Sequence, residues 1–501
     1  MRVAKWRALV VVVAAGGLVA AVPPTAGGRT GGHQDWPVAG HDVHNTRYAS
    51  AERLVGPGNV ATLAPRWTST VEFGVAATPA VSRGVVYVPD LGGNLWALDA
   101  ADGGVRWSRR ISEYTGADGD ISRSTPAVHR DLLVLGNLAA TPAAGAWLMG
   151  VEASTGALRW RTKVDSEPWS QLTGSVVVDQ GVVYAGVSSR QSAMAAPYTF
   201  RGSVVALDAR TGRLLWRTYT VPAGYTGGAV WGSTPVVDRR RGLVYVGTGQ
   251  NHTVPDGVCG TPVETGCAAP ARDNYIDAVL ALDRRTGAVV WARRTLTADA
   301  YNATDPTGPD YDFGSGPNLY TTAGGRQLLG IGQKSGLYWA LDPGTGRVVW
   351  KTRVGPGSAS GGIMWGSATD GRRVYAAVVN GDHEPYPIRS VTGETSTITG
   401  GSWAALDAAT GRIVWQTADP EGAGDAGFVT TANGVVYAGS MSGDMYALNA
   451  ATGTIRWRFP SGGAVVAGAA VVDGTVYWGS GYYYPEGSGN DTFYAFSPRG
   501  S

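Results

Sequence analysis

Apolar residues in this chain come in short runs, such as "GVVYVP" (84–89), "GLVYVG" (242–247) and "GVVYAG" (434–439). Gly, Asp and Thr bound these runs and no helical spacing connects them, which predicts short buried β-strands. Seven times the chain then reads apolar-Leu/Val-Asp/Asn/Glu, two residues, a turn ending in Gly, and Trp four residues after that Gly, as in "ALDAATGRIVW". The tryptophans are Trp107, Trp160, Trp216, Trp291, Trp350, Trp415 and Trp457. Asp and Thr-Gly supply the side-chain acceptor and the positive-φ position of a tight turn between antiparallel strands, and the Trp can dock on the neighbouring unit. An inner strand of the "STPAV" kind precedes each unit. Four strands per repeat of 40 to 75 residues predict an all-β fold, a β-propeller. An eighth unit, "GTVYWGSGYYYPEGSGNDTFYAFSP", stops before its Trp, and "LAPRWTSTV" with Trp67 stands near the other end. The expectation is an eight-bladed ring of four-stranded blades, closed by the N-terminal strand so that no sheet edge stays open.

Composition agrees with that class. Gly is 74 of 501 residues, Trp 18 and Tyr 22, with only 16% charged, which suits strands and tight turns. A net charge of +2 without a basic run lacks the footprint of a nucleic-acid binder. Arg2, Lys5 and Arg7 precede a 15-residue apolar run, Ala8 to Val22, then small residues and prolines. That is a secretory signal pattern, read as residues 1–27, with the propeller as one domain over 28–501. The run is shorter than the roughly 20 residues a membrane span needs. Outside the cytoplasm, Cys259 and Cys267 are expected to pair across a Pro/Gly-rich loop. No Cys-x-x-Cys-His occurs, so no haem attaches covalently through this motif.

In a propeller, residues just before each inner strand and just after each second strand share one face. Before inner strands lie Arg123, Thr173, Trp231, Asp310, Asp312 and Trp365. After second strands lie Gln191, Gln250, Asn251, Lys334 and Asn380. Together they offer acid, base, amide and aromatic groups at one mouth of the central channel, the composition of a ligand site. Each also has a structural alternative, since loop aspartates usually cap backbone amides and a tryptophan in this chain usually packs between blades. The six histidines show no His-x-x-x-His spacing. No nucleophile elbow, Walker loop or dinucleotide fingerprint appears in strand-helix context.

"DWPVAGHDVHNTRYAS", "GGAVWGSTPVVD", "TGPDYDFGSGPNLY", "QKSGLYWALD" and "GGIMWGSATDGRRVY" together resemble the pyrroloquinoline quinone (PQQ) dependent alcohol dehydrogenases. Among these the chain is most similar to polyvinyl-alcohol dehydrogenases, through "TFRGSVVALDA" and "VVDGTVYWGSGY". The resemblance implies PQQ lying flat on Trp231, Lys334 at the quinone oxygens, and Thr173 and Arg123 at the cofactor carboxylates; Trp365 and Asn380, by their place at the same mouth, are also expected at the cofactor. It implies Asp312 as general base, with Asp310 as the alternative, in oxidation of a secondary alcohol or a polyvinyl-alcohol-like polymer. The family's calcium ligands fall at Asp312, at Gln250 or Asn251, and at Gln191, where the family has glutamate. Losing that charge weakens a calcium site or shifts its burden to Asp310 and Asp312. The family's adjacent cysteine pair and the haem segment of some relatives are missing, which implies an external electron acceptor. A secreted scaffold propeller that has lost catalysis is the rival expectation.

Overall fold

The computed structural model describes residues 34–482 and 487–499, which fall in one compact unit. The proposed signal segment, residues 1–27, lies outside them. The described residues form the eight blades of a propeller, each built on four antiparallel strands, with a fifth short strand added to two of the sheets and two further two-stranded pairings outside them. Blade 1, for example, runs Ala80–Ser82, Val85–Pro89, Asn94–Asp99 and Val105–Arg110 from axis to rim. The last blade joins Ala470–Val472, Thr475–Gly479 and Thr492–Pro498 to Leu63–Thr70, which pairs antiparallel along Thr492–Pro498. The ring is therefore closed by the N-terminal strand, as the displaced Trp67 implied. The only α-helix among the described residues is Ile111–Thr115. Cys259 and Cys267 are joined in a disulfide.

Adjacent blades are locked through the repeat itself. All eight repeat tryptophans, Trp67 included, donate their indole N–H to a backbone carbonyl of the next blade at 2.9–3.3 Å. In seven of them the acceptor directly follows the Asp, Glu or Asn that opens the neighbour's turn; Trp457 instead reaches Leu63 of the closing strand. The Gly ending each of those turns lies directly under the ring. A Cβ on Gly212 would stand 2.4 Å from Trp160, and its φ of +71° already favours glycine. The spacing of Gly and Trp thus records a contact between blades.

The axis is filled in a way that strand patterning does not reveal. Residues 36–47 run around the channel, and their backbone carbonyls accept N–H groups from the inner strands of six blades. The pairs are Val81 to Trp36, Val128 to Pro37, Val237 to Val43, Leu319 to His44, Thr369 to Thr46 and Thr431 to Arg47, all at 2.8–2.9 Å. His44 thus contributes its backbone to the channel floor. Small residues precede the inner strands because the backbones crowd there: a Cβ on Gly232 would sit 2.2 Å from the carbonyl oxygen of Gly314. In blade 5 the run 314–318, "GSGPN", divides in two. Ser315–Gly316 pairs parallel with Trp365–Gly366 of the next blade, and the blade's own inner strand starts at Asn318.

The Trp-on-turn contact makes a comparison of two alanines informative. Gly181 has φ +80° and open space where a Cβ would go. Gly181→Ala should cost about 1–2 kcal/mol for the left-handed backbone alone, and Gly212→Ala a further ~1–3 kcal/mol for the collision with Trp160. Thermal melts of the two variants check this; equal midpoints would remove the proposed role of the turn glycine.

Candidate active site

Asp312 sits at the mouth of the axis and is 3% exposed. Three groups from separate segments hold its carboxylate. The Trp231 indole N–H donates to Oδ2 at 2.7 Å, and the Gln250 backbone N–H donates to Oδ1 at 2.8 Å. The Lys334 ammonium lies 3.5 Å from Oδ2. The Gln250 side-chain amide is against the same carboxylate at 2.7 Å, where its nitrogen can donate. These contacts fix the carboxylate's orientation by several donors at once.

Asp310 completes the pair. Its Oδ2 accepts from Lys334 Nζ at 2.9 Å, whereas its buried Oδ1 has no partner. Burial first, and then the nearby Asp312 charge, push the Asp310 carboxyl up to about 8. Burial opposes the charge on Lys334, yet the two carboxylates outweigh it and hold the ammonium above its usual range. Behind the pair, Asp299 accepts the backbone N–H groups of Asp310 and Tyr311 at 3.2 and 2.9 Å and so shapes the loop that presents both aspartates. Its carboxyl is raised to about 6, mainly by burial. Asp277 is fully buried with neither oxygen bonded, and burial raises it well above the carboxylate range. Pattern reading missed Asp299 and Asp277, because a single Asp before a strand or in a Gly/Pro loop has no distinguishing spacing.

Next to this cluster lies a narrow cleft lined by Arg123, Thr173, Thr234, Trp365 and Phe428. The Trp231 and Trp365 rings meet edge to face at 5.3 Å and connect cleft and cluster. Arg123 lies over Trp365 at 4.0 Å, Lys334 over Trp231 at 5.3 Å, and Arg47 over Phe428 at 4.4 Å. Thr173 Oγ1 is hydrogen-bonded to Ser188 Oγ at 2.5 Å. Aromatic planes faced by cations and hydroxyls suit a flat, polyanionic quinone. Gly314 is required for this packing, since a Cβ there would lie 2.6 Å from the Trp231 ring. On these observations the residues fit PQQ.

Three expected site residues do not join the others. Asn380 spends its amide on the loop that follows it, donating to the carbonyls of Glu384 at 3.0 Å and Thr399 at 2.8 Å and accepting from the Glu384 N–H at 3.1 Å. Gln191 is equally committed. Its Oε1 accepts from the N–H groups of Thr199 and Phe200 at 2.8 and 2.9 Å, and its Nε2 donates to Pro168 O and Thr199 Oγ1 at 2.8 and 3.1 Å. Asn251 pairs with Asn274 in both directions and donates to Thr226 O. Only Asp312 and Gln250 of the proposed calcium ligands come together, and an ammonium already neutralises that carboxylate. Calcium requires 6–8 oxygens; this donor set does not fit it, and no step runs through a metal.

Residues 36–362 match the family model described as the glucose/ethanol/alcohol dehydrogenase β-propeller domain, which is the PQQ type. The chain belongs to the PQQ dehydrogenase propeller family. Residues 399–499 of this PQQ propeller match a second model, that of outer membrane protein assembly factor BamB. A polyvinylalcohol dehydrogenase of Sphingopyxis sp. (strain 113P3) is 32% identical over 456 residues, covering 79% of this chain and 65% of that protein. A Pseudomonas sp. polyvinylalcohol dehydrogenase is 29% identical over 506 residues, 89% of this chain and 73% of its own. The chain therefore spans 65% and 73% of the lengths of these two relatives. In fold, the quinohemoprotein alcohol dehydrogenase of Pseudomonas putida HK5 superposes with a TM-score of 0.74 at 20% identity, over 93% of this chain and 81% of that one.

The placement of Gln191 has a direct test. A Gln191→Glu side chain would lose both amide donors and set a carboxylate oxygen against the Pro168 carbonyl, an arrangement costing about 1–3 kcal/mol. The thermal midpoint of the full chain should fall, and calcium should not restore it. Restoration by calcium would put position 191 among metal ligands.

Proposed function

We propose that this protein is a secreted quinoprotein that oxidises an alcohol at the axial mouth of its propeller, with Asp312 as general base. The observation that carries the reading is the mutual contact of Asp312, Lys334 and Trp231, three groups from separate segments buried beside a cleft lined by Arg123 and Thr173. PQQ, held by Trp231, Lys334, Arg123 and Thr173, would supply a two-electron, hydride-accepting quinone for oxidation of the carbinol carbon with loss of the hydroxyl proton. Asp312 receives that proton, and the N–H groups of Trp231 and Gln250 keep the carboxylate aimed for the transfer. Lys334 holds a fixed positive charge over the aromatic floor, where it stabilises the negative charge that develops. The substrate assigned is a secondary alcohol or a polyvinyl-alcohol-like polymer, supported by the names of the two relatives at 32% and 29% identity. Electrons pass on to an external acceptor.

The scaffold reading draws support from the BamB model over residues 399–499. It is the weaker one, because Arg123, Thr173, Trp231, Asp310, Asp312 and Lys334 all lie within residues 36–362, the stretch matched by the dehydrogenase model.

Asp312→Asn should lower alcohol-dependent dye reduction by about 10²–10⁴-fold, the usual contribution of a general base. PQQ affinity, followed by tryptophan quenching, should change far less. Turnover surviving in this variant would discard Asp312 as base, and no measurable PQQ binding by the parent protein would sink the enzyme reading.

Asp310 gives the pH dependence. With its carboxyl raised to about 8, Asp310 is neutral below that pH and anionic above it. The second negative charge stands beside the place where the hydroxyl proton is released and favours that release. Thus kcat/KM should rise as pH passes through about 8. Asp310→Asn should flatten that limb, and an unchanged profile would remove Asp310 from the titration.

A further inference from the structure

We propose that a second polar cleft, at the rim of the same face, binds a distal stretch of a hydroxyl-bearing polymer while one of its alcohols reaches Asp312; this rests on the alcohol dehydrogenase reading above. The cleft lies between blades 2 and 3, has a volume of about 350 Å³, and is lined by Lys163, Asp165, Glu167, Arg201, Arg217 and Tyr219 among others.

Topology puts it on the catalytic face. In an antiparallel four-stranded blade whose inner strand starts at the mouth, the outermost strand ends at that mouth. Lys163 and Asp165 end the outer strand Leu158–Asp165, and Tyr219 ends Leu214–Tyr219. Rim and axis are three strand spacings apart, about 14 Å. A small alcohol at Asp312 cannot span that distance, whereas a polymer can. Polar groups connect the two places. Thr199, which lines the rim cleft, is held by Gln191, and Gln191 follows the strand Val182–Ser189, whose Ser188 bonds Thr173 in the central cleft.

The lining carries both donors and acceptors. Arg217 Nε is buried without a partner, and Asp165 is 7% exposed, with Oδ1 accepting the Glu167 N–H at 2.8 Å. Tyr219 is 42% exposed, with Arg201 4.2 Å over its ring. Three cations and two carboxylates in one cleft favour neither a polyanion nor a polycation. A hydroxyl both donates and accepts, so a neutral polyol chain satisfies both sets, and its C–H groups can lie on the Tyr219 ring.

The experiment uses the full chain loaded with PQQ and compares KM for polyvinyl alcohol with KM for 2,4-pentanediol in Lys163→Ala, Glu167→Ala and Tyr219→Ala. Equilibrium dialysis of the polymer against the cofactor-free protein runs beside it. The polymer-to-diol KM ratio should rise about fivefold per variant, as expected for one lost polar or ring contact. Polymer retention in dialysis should fall by a similar factor. An unchanged ratio, a parallel rise in both KM values, or unchanged retention overturns the proposal. If neither alcohol is oxidised, the dehydrogenase reading fails, and dialysis still decides the cleft.

Discussion

The contact on which the rest of the structure depends is a tryptophan ring laid over the glycine turn of the next blade. One side chain covers a large apolar area and pairs its indole N–H with a backbone carbonyl, so no polar group is buried unpaired. Seven of the eight contacts join consecutive repeats and form locally along the chain. The eighth joins Trp457 to Leu63, across 394 residues, and depends on the N-terminal strand reaching the last blade. Closing the ring fixes where the eight inner strands meet, and the site is built at that meeting point.

Crowding at the axis then sets the chemistry. Backbones that approach so closely favour small residues before the inner strands, as the Gly232 and Gly314 contact requires. The larger side chains that do occur there are forced into one another. Trp365 and Asp310 adopt φ values of 55° and 54°, which non-glycine residues seldom take, and such strain collects at functional sites. Burying Asp310, Asp312 and Lys334 in that space without water would be costly for any one alone. As a group, the ammonium answers the carboxylates and backbone N–H groups orient them. The floor formed by residues 36–47 closes the channel beneath and leaves the opposite mouth as the way in.

Strand order was a good guide to which residues would share the mouth and a poor one to what their side chains would do. Arg123, Thr173, Trp231, Asp310, Asp312, Lys334 and Trp365 come together because each stands at a fixed place relative to an inner or second strand. Asn380, Gln191 and Asn251 satisfy the same positional rule, yet their amides are taken by neighbouring loops. A side-chain amide carries two donors and an acceptor, so a buried one is readily captured by nearby backbone groups. Asp299, Asp277 and Arg47 went unnoticed because their importance arises from neighbours distant in sequence.

The fold was decided by the sequence alone, since Gly and Trp at a constant spacing can satisfy their contacts only by docking repeat on repeat, and the displaced Trp67 tells how the ring shuts. The positions of Asp312 and Lys334 at the axis follow from the same period. Only the tertiary structure decided which groups face which. It spent Gln191 on the backbone of Thr199 and Phe200, and it set Lys334 between two aspartates. It also placed Arg47 under the cleft. Rotamers and hydrogen-bond partners answer to every atom within a few ångströms, and around a closed ring those atoms come from segments that no local pattern connects.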